Sequence, residues 1–93
     1  MVEDPVETLL DRYYEEAAVN GPGVLRFIDQ VLGGAWGPAE PPVLLAFLDR
    51  LETVILANIE TRLEEAPGDE EAAQAAWDET RREFAAARER VLA

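Results

Sequence analysis

The segment from Val43 to Leu63 constrains the fold more than any other part of the chain. Plotted at ~100° per residue, Val43, Leu44, Phe47, Leu48, Leu51, Val54, Ile55 and Ile59 fall on one broad helical face. Leu45, Leu56 and Leu63 extend that face past Glu52. The apolar arc is then roughly 220° wide, against the ~100° stripe of a helix that covers a core from one side. Such a helix has to be covered from two directions, either by the chain's own helices or by a second chain. Its start is set by Pro41-Pro42, and it is expected to run over 42–66.

Three further helices are expected around it. Asp4 is a good N-cap, Pro5 suits a first helical position, and Glu7 lies three residues after the cap. Val6, Leu9, Leu10, Tyr13, Tyr14 and Ala17 then recur at helical spacing, which predicts a helix over 4–19 that stops at Asn20–Gly23. Tyr13 and Tyr14 point ~100° apart, one toward a core and one at its border. A short helix over 22–32 is apolar on most sides and ends at Gly33-Gly34. These two short helices form either one broken arm of a bundle or a small hairpin. Pro67-Gly68 breaks the central helix, Asp69 can cap the next, and 69–92 follows. Its stripe, Ala73, Trp77, Thr80, Phe84, Ala87 and Val91, steps by four and three residues and alternates small with large. The expectation is an all-α fold in one domain: a small bundle of four helices, two short, then two long forming an antiparallel hairpin.

Composition narrows the function classes. Twenty acidic residues against eight basic ones give a net charge of -12. That excludes a general phosphate-binding surface, so direct nucleic-acid binding is not expected, and it favours a partner with a basic surface. The chain has no cysteine, no histidine and no serine, and its eight cations are all arginine. Thiolate metal sites, imidazole ligands, serine nucleophiles and Schiff-base lysines are therefore absent. No calcium-loop pattern and no Glu-x-x-His pair occurs. No cofactor or metal is expected, and the chain does not read as an enzyme. The acidic N-terminus has no apolar signal core, and the longest apolar run, Val43–Leu48, is far short of the ~20 residues of a membrane span. A cytoplasmic protein without membrane association is expected.

Four features are candidates for function. Trp36 sits in a loop of glycines and prolines, including Pro38, either as a plug on a core mouth or as a rigid anchor for a partner. Leu45 and Leu56 lie on the extended part of the central apolar arc, as a partner-facing surface. Asn58 is placed within that arc, as a buried amide that would fix an oligomeric register, with Trp77, Thr80 and Phe84 as the seam of the core or of an oligomer. Glu60, Glu64, Glu65, Asp69, Glu70 and Glu71 cluster at the hairpin turn with Arg62 as their sole cation. Two classes of function follow. One is a non-catalytic, self-associating helical interaction module: an adaptor, assembly factor or accessory subunit, most simply a homodimer. The other is an acidic inhibitor, such as an antitoxin, immunity protein or nucleic-acid mimic, that docks on a basic protein. A carboxylate-based enzyme or metal binder is a remote third.

Overall fold

The computed structural model describes residues 4–37 and 39–93, so what was expected of Pro38 lies outside the described residues. All the regular elements among them are helical: α1 (Pro5–Asn20), α2 (Val24–Leu32), α3 (Pro41–Glu65) and α4 (Glu70–Leu92), with a 3₁₀ turn at Pro67–Asp69. The expected bounds hold to within one or two residues, the margin at which helix ends fray.

Local chemistry sets these ends. The Asp4 carboxylate accepts the Val6 N–H at 2.9 Å and starts α1. Gly21, at φ +84, ends it in a backbone conformation that a side chain would strain. α2 starts at Val24 rather than at 22 because its first free N–H is capped from another helix: Glu83 Oε1 of α4 accepts the Val24 N–H at 2.9 Å. Asp69 does not cap α4 as expected. It lies inside the 3₁₀ turn, donating its N–H to the Ala66 carbonyl at 3.1 Å, and its backbone (φ -103, ψ 30) lacks the extended shape that aims a capping side chain.

α3 and α4 form the antiparallel hairpin. α1 packs on α3 and α2 on α4, so the short helices lie as a second layer over the hairpin, in contact with each other through Tyr13 and Phe27. Tyr13 is buried and Tyr14 half-exposed, as their spacing implied. Burial pushes the Tyr13 phenol above its ordinary pKa, and the Glu83 carboxylate adds to that. The second layer is shorter than the first. α1 has 16 residues and α3 has 25, or ~24 Å against ~38 Å at 1.5 Å per residue.

Burial stops where that layer stops. The buried residues of α3 are Leu44, Phe47, Leu48 and Leu51, and those of α4 are Phe84, Ala87 and Val91. Beyond these, residues 53–65 and 70–82 run on as a two-helix arm with no fully buried side chain. The molecule measures 44 × 31 × 24 Å, and its radius of gyration of 14.3 Å exceeds the roughly 12.3 Å of a compact chain of this length. No helix among the described residues is long and apolar enough to cross a membrane.

Candidate functional site

The hairpin has two faces, and polar contacts identify each. On one face Glu83 caps α2, Arg90 pairs with Asp29 of α2, and Arg50 reaches Asp4 at 3.4 Å. This is the face that α1 and α2 roof. On the other face Arg88 donates to both Asp49 and Glu52 at 2.7 Å, tying α4 to α3. Hydrogen bonding to Glu52, with a smaller part from Asp49, holds the Arg88 guanidinium above its ordinary pKa, against the opposing effect of its burial. Among the described residues no further helix covers this open face.

Helical spacing places the candidate residues on these faces. Leu45, Glu52, Leu56 and Leu63 are separated by seven, four and seven residues, so they share the open face of α3. Glu70, Gln74, Trp77, Arg81 and Arg88 share the open face of α4 by the same rule. Leu45, Leu56, Leu63 and Trp77 are all half-buried: packed along one side and wet on the other. In the arm, Ile59, Leu63, Ala73, Gln74 and Trp77 line a groove of about 270 Å³ on the open face, edged by Glu60 and Glu70. That is below the ~300 Å³ at which small-molecule pockets begin. On the roofed side, past the end of the roof, a second groove of about 400 Å³ runs over Ile59, Arg62, Leu63, Ala66, Ala72 and Ala76.

Asn58 is a correction. It was placed within the covered arc as a buried amide, yet it is exposed. It shares a side of α3 with Phe47 and Val54, but α1 does not extend that far, and Val54 itself is 43% exposed. A solvated amide carries no burial cost and cannot fix a register from within a sealed arc. Thr80 is half-buried on the α3-facing seam and Trp77 half-buried where that seam meets the open face, whereas Phe84, 2% exposed, closes the body.

The acidic residues Glu60, Glu64, Glu65, Asp69, Glu70 and Glu71 are all exposed around the arm's tip. Among the described residues no group of three or more potential metal ligands is assembled. The arm's arginines, Arg62, Arg81 and Arg82, have no carboxylate partner among the described residues.

Trp36 is at the far end of the molecule from the tip. Its ring lies 5.1 Å from that of Phe27, and the Arg12 guanidinium carbon sits 5.7 Å from its centre. The indole is half-buried, so it covers the mouth of the core on one side only. Beside it an open cleft of about 500 Å³ runs between α1 and the start of α3, with Glu40 its only acidic lining residue among the described residues. One carboxylate provides no paired acid and base.

Three elements of this site have weak sequence signals. The Glu83 cap and the Arg88 fork are long-range contacts between residues that read as ordinary surface charges. The boundary between body and arm is foreshadowed only by the alanine-rich start of α4, Ala72, Ala73, Ala75 and Ala76, against Phe84 further on. No protein-family model, curated protein or solved structure matches the chain.

Proposed function

We propose that this chain is a non-catalytic protein–protein interaction module whose working surface is the open face of the arm. One observation carries the reading: the apolar seam that is sealed in the body continues into the arm, where nothing among the described residues covers it. A half-buried tryptophan stands at its centre, and tryptophan is enriched at binding hot spots. An apolar strip between charged edges is the usual make-up of a docking surface, with a dry centre and a polar rim.

The test is affinity capture from the source cell with the native chain and with Leu63→Glu. Leu63 lines the arm groove and lies outside the body core, so the variant keeps its body and loses the apolar strip. The reading expects proteins retained by the native chain to be lost with the variant. Equal retention by both would contradict it.

A second reading, an acidic inhibitor of a basic protein, is favoured by the exposed tip cluster alone. It predicts an association rate that falls steeply with salt, whereas a partner held by the apolar strip responds weakly. Capture at low and high salt separates the two.

A further inference from the structure

The docking reading leaves the occupant of the open face unnamed. We propose that the occupant is a second copy of this chain, packed arm against arm and antiparallel, about a two-fold axis that passes α4 between Ala75 and Ala76. The inference rests on the reading of the arm as a docking surface and gives that surface its partner.

The first argument is area. The chain exposes 6293 Å², whereas a compact monomer of 10.3 kDa exposes about 5,350 Å². The excess, about 900 Å², is close to the ~800 Å² that each partner buries in a standard stable interface. Two hairpins laid face to face also complete a four-helix bundle, giving the arm the second layer that α1 and α2 give the body.

The second argument is register. A two-fold interface joins a surface to itself, so each knob must meet a hole on the same patch. On the open face of α4, Glu70 and Arg81 are eleven residues apart, ~16 Å, and their midpoint falls between Ala75 and Ala76. Ala73 and Trp77, the small and the large member of the groove, have their midpoint at Ala75. On α3, Ile59 and Leu63 bracket Thr61 and line the same groove. A single antiparallel register therefore sets each Trp77 at the level of the other copy's Ala73 and Gln74. It also brings each Glu70 to the level of the other copy's Arg81. Arg81 has no carboxylate partner in its own chain among the described residues.

The third argument is charge. A parallel pairing would press two exposed acidic tips together. The antiparallel one separates the tips and, among the charges at the foot of the other arm (Asp78, Glu79, Arg81 and Arg82), sets Arg81 at the level of Glu70.

Sedimentation velocity from about 1 µM to about 300 µM, at ~0.15 M salt, tests the proposal. A reversible monomer–dimer equilibrium is expected. Glu70→Arg moves the net charge from -12 to -10, a negative side chain becoming a positive one, and so lowers the overall repulsion between copies. The proposal nevertheless expects it to weaken the dimer about tenfold, because each of two symmetry-related pairs turns repulsive. Arg81→Glu should do the same, and the double variant E70R/R81E should return to within about threefold of the native chain. Trp77→Ala should weaken the dimer about 30-fold. Both charge positions are exposed, and far-ultraviolet circular dichroism checks that each variant stays helical. A monomer at every concentration overturns the proposal, as does a Glu70→Arg dimer tighter than the native one. In either case the capture experiment with Leu63→Glu decides separately whether the docking surface itself stands.

Discussion

The two ends of the α3–α4 hairpin use the same seam and reach different outcomes. In the body, Leu44, Phe47, Leu48, Leu51 and Phe84 meet a second layer of helices, and each is 2% exposed or less. In the arm, Ile59, Leu63, Ala73 and Trp77 lie where α3 and α4 have only each other among the described residues, and all stay half-buried, while Ile55 at the boundary still packs against the body core. A helix pair seals the line between its axes and leaves the flanks of that line wet. Only a second layer turns the seam into a core. The contrast implies that stability resides in the body rather than in the arm.

The largest test of that division is Phe47→Ala. Phe47 is fully buried and packs edge-on against Tyr13 and at a tilt against Phe27, so the variant should lose about 3–5 kcal/mol in denaturant unfolding. Trp36→Ala follows, at about 1.5–2.5 kcal/mol, because the indole is covered on one side only. A loss as large as that of Phe47 would make Trp36 part of the sealed core. Ile59→Ala should cost the dilute chain no more than about 1 kcal/mol, and a larger loss would show that the arm carries core energy. Tyr13 gives a pH signature. Its folded pKa lies above the ~10 of the unfolded chain, so the folded state holds the proton more tightly. That contribution is complete below about pH 10 and is lost as pH rises through the folded value. Unfolding curves should show an alkaline decline that Tyr13→Phe reduces. The smallest effect is at Asn58: Asn58→Leu should shift stability by less than about 0.5 kcal/mol in dilute solution.

Helix number, type and order were legible in the sequence because the apolar period of Val6–Ala17, Val43–Leu63 and Ala73–Val91 is long and uninterrupted. The wide arc of α3 is covered from two directions in the body, by α1 and α4. What periodicity does not carry is how far along α3 a covering helix reaches. It gives the azimuth of Asn58 and leaves open whether α1 extends that far, and α1 does not. The cap that Glu83 places on α2 was equally hidden, since the two residues are 59 positions apart and neither departs from ordinary helix-surface composition. The tip acids were legible as exposed charges, and Trp77, expected on the seam, is half-buried there; how much of Leu45 and Leu56 stays wet depends on the same unread reach of the covering helices.

Amide hydrogen exchange followed by mass spectrometry, at low and high protein concentration, addresses the division most directly. The account predicts that segments 53–65 and 70–82 exchange faster than the body in dilute solution. It also predicts that their protection rises with concentration while that of 44–51 and 84–91 stays constant. Arm amides as protected as the body at the lowest concentration, or unchanged at the highest, would contradict it.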